Sequence, residues 1–191
     1  IYRYHTGYAD REEKIEMKGD ELFNLYSATK PITCTAVLQL YEKGKILLNE
    51  PVSNYIPEYK NLKVLHRQPN SESYVVPAQK PMTIMQLLTM TSGLDYDLDT
   101  PEIRKVVEAT DGRAPTMEVV KALAAKPLSF EPGEHWQYSL SHDVLGALVE
   151  AVSGQNFEDY LRENIFDSCE MKDTTFAFTP KVEKRMMAQY I

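Results

Sequence analysis

Leu25-Tyr26-Ser27-Ala28-Thr29-Lys30 places a serine at the mouth of a helix, after a hydrophobic approach through Leu22 and Phe23. Lys30 follows Ser27 by three residues, and at about 3.6 residues per turn that spacing stacks the two side chains on one helical face. A serine hydroxyl is a weak nucleophile until a neighbour takes its proton, so S-x-x-K states a geometric requirement of acyl chemistry. The helix N-terminus adds partial positive charge at the same place. Taken alone, the four residues also read as a serine N-cap followed by a surface lysine. The rest of the chain has to separate the two.

Downstream, Ile32, Ala36, Val37, Leu40 and Tyr41 keep helical spacing from Ala28 to Glu42, and Gly44 stops the helix. Pro31 is tolerated only in a first turn, which fixes the helix start near Ser27. Upstream, Ile1 to Met17 alternates, turns through Asp10 to Lys14, and reads as a β-hairpin. Val52 to Ile56 predicts a short helical turn ending at Pro57, and Lys60 to Lys80 a loop with one strand at Tyr74-Val75-Val76. Thr83 and Gln86 form a capping box for a helix over Ile84 to Thr91. Thr100-Pro101 opens a helix through Val107, and Thr116 opens another that ends at Lys126-Pro127. A turn at Glu131-Pro132-Gly133-Glu134 delivers Tyr138, and amphipathic helices start at Ser141 and Asn156. Asp173 to Phe178 reads as a strand, and the remainder as an unfinished helix or loop.

The chain has 191 residues with 43% hydrophobic side chains, enough for one domain with a real core. Twenty-eight acidic against 21 basic residues, net −7, argue against nucleic acid or an anionic membrane as the main partner. No run approaches the ~18 apolar residues of a membrane span. Cys34 falls inside the long helix and reads as a small buried thiol rather than half of a disulfide with Cys169. His5, His66, His135 and His142 lack metal-ligand spacing. His135 and His142 flank Tyr138, where they could line a cleft, but the first reading is of surface residues. No G-x-S-x-G, G-x-G-x-x-G or P-loop is present.

Ser27-x-x-Lys30, Thr89-Met90-Thr91-Ser92-Gly93-Leu94, Pro132-Gly133 and Tyr138-Ser139-Leu140 occur in one order. In that order the chain resembles the serine β-lactamase-related hydrolases: class C β-lactamases, penicillin-binding proteins and D-peptidases, and esterases of the same fold. The resemblance extends from Gly7-Tyr8-Ala9-Asp10 to Met171-Lys172-Asp173-Thr174-Thr175-Phe176. It implies an α/β (α+β) domain, an antiparallel sheet flanked by helices, with a helical subdomain over about 52–127. It also implies acyl transfer through Ser27, with Lys30 and Tyr138 moving the proton, and no metal or organic cofactor. Unperturbed Lys and Tyr side chains have pKa values of about 10.4 and 10, so as neighbours they would titrate as one coupled pair.

The departures from the family pattern carry information. The Y-x-N asparagine is Leu140 here, an apolar side chain that cannot bond a substrate amide, as in the esterase branch. Leu140 and Trp136 are therefore the candidate substrate-binding residues, Trp136 as a wall or core residue. Met90 stands where the family often has histidine and reads as packing. The family's third motif, K-T-G or H-x-G, is absent, so the chain reads as a single partial domain over 1–191 whose sheet is completed by a further segment or another chain. The expected activity is esterase. Next come β-lactamase or D-alanyl-D-alanine carboxypeptidase on β-lactam or peptide substrates, and then a non-turnover penicillin-binding sensor or inactive fragment.

Overall fold

The computed structural model describes residues 2–67 and 72–190. Its centre is a pair of helices, α1 (Thr29–Glu42) and α5 (Ser141–Ser153). Ala36, Val37 and Leu40 of α1 meet Val144, Leu145, Ala147, Leu148 and Val149 of α5, all between 0% and 3% exposed. Each such aliphatic side chain contributes about 1.5–3 kcal/mol by leaving water. Pro31 is the third residue of α1, where its missing N–H removes no helical bond. Gly44 ends the helix with φ +66 and donates to the Tyr41 carbonyl at 2.9 Å.

Four further helices close around this pair: α2 (Ile84–Leu88), α3 (Pro101–Ala109), α4 (Thr116–Leu123) and α6 (Phe157–Leu161). The capping box that opens α2 is made in full: Thr83 Oγ1 accepts from the Gln86 N–H, and Gln86 Oε1 from the Thr83 N–H. The helix is shorter than the sequence predicts because Met90 turns left-handed, φ +58, three residues before Gly93. Asn156 caps α6, which runs on as one π-helical turn, Arg162–Phe166. Val52, Ile56, Tyr59, Ile84, Leu87 and Val120 enter the same core as α1 and α5.

The strands are few. β1 (Tyr8–Asp10) pairs antiparallel with β2 (Ile15–Glu16), and Asp10 Oδ1 accepts the Glu12 and Glu13 amides in the turn between them. This is the expected hairpin, trimmed to its tip. β3 (Lys63–His66) pairs antiparallel with β4 (Tyr74–Pro77). β3 falls in the segment read as loop. Lys63 and His66 hide a strand whose Val64 is 2% exposed and whose other edge is bonded by Leu128. Residues 68–71 of the same segment lie outside the described residues.

Asp173 to Phe178 does not form the expected strand. Its polar groups are tied to α6 and to one another: Glu158 Oε1 accepts from the Phe176 N–H at 3.2 Å and the Thr175 hydroxyl at 3.0 Å, and Thr175 Oγ1 accepts from the Ala177 N–H at 2.9 Å. After a short α7 (Pro180–Glu183) the chain returns beside its own beginning. Leu22 bridges Met186 in parallel, and the Ala188 N–H donates to the Ala9 carbonyl at 3.1 Å. The chain ends thus form a thin layer in front of α1.

Candidate active site

Ser27 lies in the 3-10 turn Tyr26–Ala28 that leads into α1, and Lys30 is the second residue of that helix. The expected stacking is present: Lys30 Nζ is 3.2 Å from Ser27 Oγ. From 111 residues away, the Tyr138 phenol comes to 2.6 Å from the same oxygen. The serine hydroxyl therefore sits between an amine and a phenol. Two groups that exchange protons at 2.6 and 3.2 Å are within the reach that general acid–base chemistry needs.

Backbone zipping rather than a helix aims Tyr138. The Gly133 N–H donates to Thr91 O at 2.8 Å, the Gln137 N–H to Met90 O at 3.0 Å, and the Leu140 N–H to Asp95 O at 3.0 Å. Gly133 is needed here, since φ is +92 and a Cβ would come to 2.9 Å from Gln86 Nε2 of the capping box. Below the zipper, buried hydroxyls join the two segments: Ser141 Oγ is 2.8 Å from Ser92 Oγ and 2.7 Å from Ser139 Oγ. Met90 is packed as expected, 7% exposed, with its sulfur accepting from Ser139.

The electrostatics ease ionisation of the phenol. Lys30 foremost, and then the Ser27 hydroxyl, hold the Tyr138 phenol below its ordinary value of 10. Lys30 Nζ also lies 4.9 Å from the Tyr138 ring centroid and 5.6 Å from that of Tyr96, and the two rings are 5.2 Å apart. An ammonium between two aromatic faces is favoured by about 0.5–2 kcal/mol. Tyr96 went unnoticed in the sequence, where it lies in a loose acidic loop. It is set by an ion pair that sequence spacing does not announce, Lys126 Nζ to Asp95 at 2.6 Å and Asp97 at 3.3 Å.

Ser27, Lys30, Tyr96, His142 and Asp143 line a cleft of about 500 Å³. His142 is therefore not the surface residue expected. Its Nε2 lies 3.4 Å from the Leu88 carbonyl and 3.7 Å from Cys34 Sγ, while Nδ1 is buried without a partner. Burial chiefly, helped by the Lys30 charge, pushes its pKa down. Cys34 is a free, half-buried thiol whose pKa burial pushes up, and Cys169 is free as well. His135 is exposed, its ring edge-on to Phe130.

Of the two substrate-binding candidates, Leu140 is turned away from the cleft and Trp136 is exposed. Leu140 is 3% exposed and packs with Ile103 and Leu123 under α3 and α4, so its side chain points away from the cleft. Trp136 is 68% exposed and belongs to no core. A second cleft of about 440 Å³, lined by Leu22, Phe23, Phe176 and Phe178, contains no serine–lysine pair. Among the described residues, no group of three His, Cys, Asp or Glu is placed to hold a metal ion, and no helix is long and apolar enough to cross a membrane.

A serine presented at a helix mouth between a lysine and a tyrosine defines the class of serine sites built for acyl transfer. The chain belongs to the beta-lactamase family, whose model matches residues 1–190. It is 40% identical over 164 residues to esterase EstB of Burkholderia gladioli, covering 81% of this chain and 38% of that protein. Among solved structures it superposes with a TM-score of 0.75 and 27% identity on EstCE1, described as a hydrolase with promiscuous acyltransferase activity, covering 95% of this chain and 46% of that one. Simvastatin synthase (LovD) from Aspergillus terreus gives a TM-score of 0.76 at 29% identity, with 96% and 47% covered. The fold is β-lactamase/transpeptidase-like, and the chain spans less than half the length of these three relatives.

Proposed function

We propose that this chain carries the nucleophile and its proton-transfer pair in a serine hydrolase that cleaves carboxylic esters. The observation that carries the reading is the placement of Ser27 Oγ at 2.6 Å from Tyr138 and 3.2 Å from Lys30. The Tyr138–Lys30 pair takes the Ser27 proton as Oγ bonds to the ester carbonyl carbon, giving a tetrahedral oxyanion. The C–O bond to the alcohol then breaks, and the leaving alkoxide takes the proton back. Water repeats the sequence on the acyl-Ser27 ester, releasing the acid and restoring the hydroxyl. Acyl transfer to an alcohol in place of water uses the same residues.

Two features support esters over β-lactams or D-peptides. No amide side chain stands two residues after Tyr138, where Leu140 is turned into the core. EstB and EstCE1 are described as an esterase and a hydrolase. We further propose that the layer at the chain ends is completed by an additional segment or another chain, since Phe23, Phe176 and Phe178 there are 59%, 51% and 70% exposed.

The test is intact-mass spectrometry after incubation with a fluorophosphonate and, separately, a penicillin, with Ser27→Ala as control. A Ser27-dependent adduct with the fluorophosphonate, together with faster turnover of a p-nitrophenyl ester than of a chromogenic cephalosporin, is the expected result. A long-lived penicillin adduct without ester turnover would favour the sensor. No adduct on the folded chain would mean that these residues do not by themselves make a competent site.

A further inference from the structure

Tyr26, the residue before the nucleophile, has φ +45, in the left-handed region that a residue with a Cβ rarely adopts. A tyrosine in that conformation has to be held by something outside itself. No side-chain N-cap bond helps, in the 3-10 turn Tyr26–Ala28 or in α1; locally the turn is closed by its backbone alone, the Ala28 N–H donating to Leu25 O at 2.8 Å and the Thr29 N–H to Tyr26 O. Packing does not fix the ring either, which is 68% exposed. What does reach it comes from the other end of the chain. The Tyr26 phenol donates to Gln189 Oε1.

Gln189 is itself well anchored. The Leu22 N–H donates to Arg185 O at 2.7 Å and the Met187 N–H to Leu22 O at 2.9 Å, on the strand-like approach to Ser27. On its other side, Tyr190 OH accepts the Arg11 N–H at 2.6 Å. The 185–190 segment is thus laced to both the serine's approach and β1, and Gln189 projects from it to Tyr26.

We propose that Tyr26 and Gln189 are positioning residues: their bond holds Tyr26 left-handed and thereby aims Ser27 Oγ at Tyr138 and Lys30. The proposal rests on Ser27 being the nucleophile. If the bond is broken, Tyr26 relaxes towards the right-handed region. That rotates the peptide plane between Tyr26 and Ser27 and lengthens the 2.6 Å contact to Tyr138. The aim of the nucleophile then depends on a residue 162 positions along the chain from it.

The experiment compares Gln189→Ala, Tyr26→Phe, the double variant and Gln189→Glu in this chain. Two readouts are used: the second-order rate of Ser27 labelling by a fluorophosphonate, and amide hydrogen exchange over residues 24–28. Each single loss is expected to slow labelling by about three- to tenfold and to speed exchange locally, with the unfolding midpoint unchanged. The double variant should be no slower than either single, and Gln189→Glu, whose carboxylate accepts the same phenol proton, should return to within about twofold of the original rate. Labelling and exchange unchanged in both singles, or losses that multiply in the double, would overturn the proposal. A chain not labelled at all would mean that these residues do not by themselves make a competent site, and the exchange comparison would then decide the Tyr26–Gln189 restraint on its own.

Discussion

Behind Ser27 and in front of it, the molecule is finished to different degrees. Behind, α1 and α5 remove Ala36, Val37, Val144, Leu145, Ala147 and Leu148 from water completely. In front, the layer formed by the chain ends leaves Tyr8, Ile15, Phe23, Leu25, Phe176 and Phe178 between 43% and 70% exposed. Apolar side chains that stay wet contribute little to folding, so stability resides in the helical side. Lys30 belongs to that side, and Tyr138 is zipped to it. The backbone that presents Ser27 belongs to the other. The site therefore joins Lys30 and Tyr138, held on the packed side, to a serine whose approach depends on the thinner layer.

The comparison can be broken at several points, and the largest effect is at the serine. Ser27→Ala should abolish covalent labelling and lower ester turnover by more than about a thousandfold, read by intact mass and initial rates. Labelling that persists would place the nucleophile elsewhere. On the packed side, Lys30→Ala and Tyr138→Phe should each slow acylation by about 10²–10⁴-fold, and the double variant by no more than the worse single. Full activity in either would dissolve the pair.

The pH profile sharpens the same point. Lys30 foremost holds the Tyr138 phenol below 10, so the base form gains population from a pH lower than that of a free tyrosine. Lys30→Met removes that charge, and the acid limb of the labelling rate should then move to higher pH. A limb that stays in place would show that another group supplies the base.

Packing offers the next contrast, with urea midpoints as the measurement. Leu148→Ala, in the dry core, should cost about 2–5 kcal/mol. Phe178→Ala, 70% exposed, should stay within about 0.5 kcal/mol. Equal costs would mean that the chain-end layer is packed after all. Lys126→Met, which frees Asp95 and Asp97 beside Tyr96, should likewise have a small effect, about 0.2–1 kcal/mol.

Much of this was legible because it depends on neighbours in sequence. The α1 start was readable from Pro31 and the α2 start from Thr83 and Gln86, since caps and breakers act within a turn. β3 was not, because Val64 is a core residue only once β4 and Leu128 flank it. Asp173 to Phe178 has strand composition, yet its amides bond locally or to a side chain, Thr174 to Met171 O, Phe176 to Glu158 and Ala177 to the Thr175 hydroxyl. At the site, Tyr96 escaped notice and His142 read as a surface residue, because an acidic loop and a helical histidine carry no periodic signal of a cleft. Leu140 misled for the opposite reason: the motif position suggests contact with substrate, whereas the first turn of α5 rotates the side chain inward.

Alone, then, the sequence determined the helical scaffold, the Ser27–Lys30 pair and the family, because each rests on spacing within a helix or on motifs in fixed order. Tertiary structure decided which side chains meet Ser27 from far along the chain, Tyr138 and, through Tyr26, Gln189. It also decided which way Leu140, His142 and Trp136 face. The physical reason is range: a helix fixes directions over a few residues, whereas a hydrogen bond across more than a hundred residues exists only once the backbone between them is packed.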